Sequence, residues 1–175
     1  MISILSQIVE FRNGESGLHV MQINMIVSAS ALHDIGKITI SDSILLKPGR
    51  LTKEEFEYMK SHTTRGCELL ESMKNVLDPQ YEKVSYEICR HHHERFDGKG
   101  YPDGLVGDAI PLSAQLVSVA DVYDALVNER CYKDAFSPEE AFHMIVNGEC
   151  GVFSPRLLEV FRKVRPEFEK LATAK

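Results

Sequence analysis

Apolar residues recur along this chain at helical rather than alternating spacing. Val84, Ile88 and His92 lie four apart, and Leu116, Val119, Ala120, Tyr123 and Val127 follow an i, i+3, i+4, i+7, i+11 stripe. Start signals fall where these stripes need them. "LTKEEFEYMKSH" supplies Thr52 as an N-cap with Glu55 three residues on; "SPEEAFHMIV" supplies Ser137 as a cap, Pro138 at the first helical position and Glu140 at the third. A last helix opens after Ser154-Pro155. Between these segments, "LLKPGR" and "DGKGYPDGLVGDAIP" carry the glycine and proline punctuation of loops. The pattern predicts an all-α fold whose helices pack as one bundle around a shared core.

Size and charge narrow what such a bundle can do. At 175 residues and 43% hydrophobic, the chain has material for one substantial core and is short for two, so a single domain is expected. With 26 acidic against 20 basic side chains, the surface repels a long polyanion, so no DNA or RNA polymer is expected as partner. Small anionic ligands require a local gathering of cations. Cys67, Cys89, Cys131 and Cys150 are scattered without a C-x-x-C pair and read as reduced thiols. "MISILSQIVEF" has no basic leader or cleavage site, and no apolar run approaches the roughly 18 residues of a membrane helix. A cytoplasmic protein without a membrane span is the expectation.

Six of the seven histidines fall between His19 and His93; the seventh, His143, lies on a helix with an apolar face and is read as structural. In "ALHDIGK", His33 and Asp34 are adjacent, about 100° apart on a helix, so one can bind a single metal while its neighbour bridges to a second. The same stretch also fits a helix end with Gly36 as a left-handed cap and His33 in the core. His62 falls near the end of the next helix. In "CRHHHERFDGKGYPDG", two of three adjacent histidines can point to one side of a helix that ends at Phe96-Asp97-Gly98. In "VADVYDAL", Asp121 and Asp124 share a face flanking the apolar one.

Each feature alone fits an ordinary helix. Together, imidazole and carboxylate donors from several helices, with no cysteine among them, suit two mid-row divalent metals such as iron or manganese better than a structural zinc. Two metals about 4 Å apart would polarise a phosphoryl oxygen and acidify a bridging water, which implies phosphate-ester hydrolysis. No G-x-S-x-G elbow and no G-x-x-x-x-G-K-[ST] loop occurs, which argues against a serine nucleophile and ATP-driven transfer.

"HDIGK" followed by "HHE" and "DGKGYP" resembles the HD-GYP phosphodiesterases, a branch of the HD-domain metal hydrolases. "SDSILLKPGRLTKEEFEYMKSHTTRG" and "IPLSAQLVSVADVYDALVNERCYK" are similar to the connecting sequence of that family. The resemblance covers a core of about residues 11–165 and implies a single HD-domain bundle with a short Gly/Pro-rich loop. It further implies hydrolysis of bacterial cyclic di-GMP to linear pGpG, to GMP or to both, by a metal-activated water, often as a response-regulator output domain.

By position, the resemblance makes His33, Asp34, His62, His92, His93 and Asp121 metal ligands, with Asp34 bridging. Asp34 and Lys37 are the implied catalytic pair, Lys37 holding a phosphate oxygen or the attacking water. Tyr101, Asp124, Arg130 and Lys133 are implied at the substrate; His91 is spare and Glu94 closes the helix. In "ESGLH", Glu15 and His19 are implied as further ligands, with a third metal where such a glutamate takes part. The alternatives are another cyclic dinucleotide or nucleoside phosphate as substrate, or an adaptor binding nucleotide or a signalling domain through the Gly-Tyr-Pro loop. A homodimer is also expected.

One stretch departs from the family pattern. "HVMQINMIVSASALHD" separates His19 from His33 by 14 residues without Gly or Pro, which as one helix spans about 21 Å. A segment with its own turn is therefore expected to be missing near residues 24–25. An unbroken helix across that point would instead keep Glu15 and His19 out of the site.

Overall fold

The computed structural model describes residues 17–129 and 135–166, with the backbone alone for 17–22. Among these residues the chain forms helices and no strand. In chain order they are α1 (Gly17–Ser30), α2 (Asp42–Leu45), α3 (Lys53–Lys60), α4 (His62–Ser72), α5 (Pro79–His91), α6 (Leu112–Val127), α7 (Pro138–Val146) and α8 (Pro155–Lys163), with 3-10 turns at Ile35–Thr39 and Gly107–Ala109. None is long and apolar enough to cross a membrane.

Two predicted caps form complete capping boxes. Thr52 Oγ1 accepts from Glu55 N at 3.2 Å while the Glu55 carboxylate accepts from Thr52 N at 2.7 Å, and Ser137 and Glu140 repeat the arrangement at 3.2 and 2.9 Å. Ser154 caps α8 by position only, its hydroxyl making no cap bond, and Pro155 behind it has no N–H to satisfy. Asp78 caps α5 through the amides of Gln80 and Tyr81, with Pro79 at the first helical position.

α6 runs through the middle of the bundle, packed against α5 and α7. The predicted stripe is buried from Leu116 to Tyr123, but Val117 and Leu126 outside it are buried too, whereas Val127 is half-buried. A central helix is covered on more than one face, so its burial exceeds a single stripe. Each such aliphatic side chain contributes about 1.5–3 kcal/mol by leaving water. α8 adds Leu157 and Phe161, the latter stacked on Phe142 at 5.2 Å and edge-on to Tyr123 at 6.0 Å. A second apolar cluster, Cys67, Leu70 and Cys89 with Leu32 and Ile35, joins α4, α5 and the first 3-10 turn. His143 is exposed on α7, 3.9 Å from Glu139, so it belongs to the solvent face and not to the apolar one.

Gly36 does not act as a left-handed cap. It sits inside the first 3-10 turn, where a Cβ would collide with the His62 carbonyl oxygen and the Gly66 amide nitrogen. Glycine at this position lets the Asp34 turn lie directly on the start of α4. Gly36→Ala is expected to destabilise the fold by about 3 kcal/mol, because both obstacles are backbone. Urea denaturation would register this as a lower midpoint at unchanged slope; an unshifted midpoint would disprove the close packing.

Candidate metal centre

Three imidazoles are aimed by backbone carbonyls. Nδ1 of His33 lies 2.8 Å from Ser30 O, Nδ1 of His62 lies 2.7 Å from Met59 O, and Nδ1 of His92 lies 3.0 and 3.1 Å from the carbonyls of Ile88 and Cys89. A carbonyl can only accept, so each Nδ1 carries the proton and each ring presents Nε2 inward. All three Nε2 atoms converge on Asp34. His62 and His92 face its Oδ1 at 3.3 and 3.8 Å, and His33 faces its Oδ2 at 3.1 Å.

Burial pushes the His62 imidazole down, and burial with the nearby His33 pushes His92 down to about 4. Both are therefore neutral at pH 7, with a lone pair on Nε2 opposite the lone pairs of Asp34 Oδ1. His62 Nε2, His92 Nε2 and Asp34 Oδ1 are buried and have no hydrogen-bond partner. Acceptors facing acceptors in a buried place call for a cation between them, and a divalent metal fits. His93 completes this set: Asp34, His62, His92 and His93 offer donor atoms within 4.8 Å of one another. Its imidazole is held well below its ordinary range, first by burial and then by His92.

His33 belongs to a second set on the other side of Asp34. Its Nε2 lies 3.7 Å from Asp121 Oδ1 as well as 3.1 Å from Asp34 Oδ2. Burial opposes charge there, but the carboxylates of Asp121 and Asp34 outweigh it and hold the imidazole up at about 10. Asp34 shows the converse balance: burial works to raise it, while His33 and then Lys37, at 2.5 Å, hold it far below the carboxylate range. Burial likewise opposes charge on Asp121, and the His33 hydrogen bond lowers it. In the metal-free protein a proton thus stands between His33 and the two carboxylates.

If His33 takes a metal, that proton must leave. Calorimetry of manganese binding at pH 7.5 in buffers of different ionisation enthalpy should show release of about one proton per chain. Apparent affinity should rise with pH towards 10, because the proton competes below the His33 value. Buffer-independent heats would show that His33 binds no metal.

The end of α5 differs from its predicted position. The helix stops at His91 with His92 as its C-cap, so it does not continue to Phe96. Consecutive residues on a helix point about 100° apart. Leaving the helix between them lets the His92 and His93 rings approach to 4.1 Å and face the same donor set. The following loop then returns under tight control. Glu94, buried, accepts from the amides of Asp103, Gly104 and Leu105 at 2.8, 3.1 and 3.0 Å, and Arg90 grips Asp103 with two bonds of 2.7 Å. Glu94 is thus the clamp of the loop, a role that nothing in its sequence position signals. Gly98 and Gly104 adopt positive φ, and Gly100 admits the backbone of Glu94 and Arg95. The loop lays Tyr101 on His93, with ring centroids 4.7 Å apart and planes 23° apart.

Not every predicted residue is brought in. His91 is turned to Asp103 at 3.5 Å and away from the donor set. Asp124 lies one turn beyond Asp121 on α6, half-buried. α1 runs without interruption across residues 24 and 25, and i→i−3 backbone bonds carry the chain onward from Ser30 to His33. The helix places the His19 backbone eleven residues ahead of Ser30, a rise of about 16 Å along its axis. Glu15, Arg130 and Lys133 lie outside the described residues. The cleft of about 240 Å³ lined by Asp108, Leu112, Arg156 and Val160 shares no residue with the donors.

Comparison with known proteins places this geometry in a family. The HD domain family model matches residues 16–153. The cyclic di-GMP phosphodiesterase response regulator RpfG of Xanthomonas campestris is 44% identical over 155 residues, covering 89% of this chain and 40% of its own length. A cyclic di-GMP phosphodiesterase of Vibrio cholerae is 38% identical over 195 positions, 96% of this chain and 40% of its own. That alignment is 20 positions longer than the whole 175-residue chain, so the relative carries residues with no counterpart here. The 3'3'-cGAMP-specific phosphodiesterase 2 of the same organism is 37% identical over 182 positions, 94% of this chain and 34% of its own. The chain spans about 40% of the length of these two cyclic di-GMP phosphodiesterases. With its His-Asp pair, its converging histidines and its Gly-Tyr-Pro loop, the chain belongs to the HD-domain family and, within it, to the HD-GYP phosphodiesterase group.

Proposed function

We propose that this chain hydrolyses cyclic di-GMP to linear pGpG or onward to GMP, using two divalent metals, iron or manganese, held on either side of Asp34. One observation carries the reading: the two oxygens of Asp34 face separate donor sets, His62 and His92 at Oδ1, and His33 with its partner Asp121 at Oδ2. Nitrogen and oxygen donors without thiolate suit these metals. When bound, such metals supply Lewis acidity for a phosphoryl oxygen and lower the pKa of water.

The side chains do the rest. Asp34 stays ionised at neutral pH, and Lys37 beside it offers an ammonium to a phosphate oxygen. Tyr101, stacked on His93, walls the mouth. Arg130 and Lys133 hold nucleotide phosphates and Asp124 binds the substrate, as the family resemblance implies. We place the residues that the Vibrio cholerae relative has in addition between His19 and His33; a chain carrying them would have room to turn Glu15 and His19 back to the cluster.

The relative named for 3'3'-cGAMP favours a second substrate of the same chemical class. Manganese-loaded protein, offered a panel of cyclic di-GMP, 3'3'-cGAMP and cyclic di-AMP with chromatography of products, separates them. Appearance of pGpG or GMP first supports the proposal. Binding of nucleotide without any product would instead favour an adaptor.

A further inference from the structure

We propose that Lys60, held between the rings of Phe56 and Tyr101 at the mouth of the metal centre, grips the phosphate of a cyclic dinucleotide that is not being cleaved. The inference rests on the cyclic-dinucleotide reading above and deepens it. Such a substrate carries two phosphodiester anions on opposite sides of one ring, so beside the cations assigned above a further cation within a nucleotide's reach of the metals can meet the phosphate that is not cleaved.

The described cations beside the donor set are mostly committed. Lys37 is paired with Asp34 and assigned above to the phosphate at the metals, Arg90 is bonded twice to Asp103, and half-buried Arg95 donates to Ser118 Oγ at 2.7 Å. Lys60 differs. Its side chain is partly open to solvent, and its carboxylate partner, Glu57 at 2.7 Å, is 69% exposed on the same helix, a pairing that water weakens. Its ammonium lies 5.1 Å from the centroid of Phe56 and 5.4 Å from that of Tyr101. Two ring faces fix the position of the charge without using its hydrogen-bond donors. Tyr101 in turn stacks on His93, so the ammonium is one ring removed from a metal donor and two residues ahead of His62. Phe56 itself is 47% exposed at this mouth, and its contact with Lys60 gives that exposed ring a purpose.

The test compares Lys60→Met and Lys60→Arg with the unaltered manganese-loaded protein. For cyclic di-GMP, Lys60→Met should raise KM roughly tenfold or more while kcat changes by less than about threefold, as expected for loss of a hydrogen bond to a charged group. Lys60→Arg should restore most of the loss. KM for bis(4-nitrophenyl) phosphate, which has one phosphate, should move less than about threefold. An unchanged KM for cyclic di-GMP overturns the proposal. Equal losses on both substrates overturn it as well, since Lys60 would then act by holding Tyr101 on His93. Equilibrium binding of a hydrolysis-resistant phosphorothioate analogue of cyclic di-GMP to the manganese-loaded protein, with and without Lys60→Met, reads the same subsite without turnover. Binding that is weakened by Lys60→Met, in a protein that cleaves no cyclic dinucleotide, leaves this subsite standing and removes the proposed activity alone. Absence of binding to the unaltered manganese-loaded protein removes both.

Discussion

Replacing Asp34 by alanine is expected to strip bound metal and to lower cyclic di-GMP turnover by more than about 10²-fold, since outer-shell partners of a metal site already cost 10–100-fold. Asp34 is the one side chain shared by both donor sets, so its loss affects two places together. It also leaves Lys37 without its partner and His33 with Asp121 alone. Elemental analysis and a turnover assay on the same preparation check both halves. Asp34→Asn keeps the shape but not the charge, and should fail similarly while remaining folded. Near-normal turnover in either variant would sink the two-sided reading of Asp34.

Glu94→Ala is expected to destabilise the fold by about 3–4 kcal/mol, because three amides lose a charged acceptor in a buried place. Glu94→Gln retains one acceptor oxygen and should lose less. The loss reaches the metals through a short path: Glu94 follows His93 directly, and the clamped loop carries Tyr101 onto that imidazole. Chemical denaturation gives the stability change, and metal retention after dialysis gives its effect on the site. A stability loss under about 1 kcal/mol would mean that the loop amides are satisfied in another way.

Much of this site was legible in the chain because its donors are of unusual type. His33-Asp34, the triple histidine and Asp121 stand out by chemistry and by the motifs around them. Their roles were harder to read. His62 has the local signature of any polar helix terminus, and only the packing of α4 under the first 3-10 turn turns its Nε2 to Asp34. Gly36 looked like a left-handed cap and proved to be a point of backbone contact between elements 26 residues apart in its nearest neighbours' terms, from Gly36 to His62. Lys60 gave no signal, since a lysine in the last turn of a helix is ordinary. The spacing predicts a later end for α5 than the observed His91, because the pairing of Glu94 with the amides of Asp103 to Leu105 is a contact within the following loop that no helical period signals.

By itself, the sequence determined the helical class, the capping boxes at Thr52 and Ser137, the kinds of metal donor and the loop that follows them. These are properties of nearest neighbours and of short periods, where backbone geometry links residue spacing to direction in space. The tertiary structure alone decided which donors meet: His62 and His92 at one oxygen of Asp34, His33 at the other, and His93 under Tyr101. It also decided that α1 runs unbroken across residues 24 and 25. The physical reason is that a metal centre is a set of distances between separate helices, and those distances follow from side-chain packing, which no local pattern specifies.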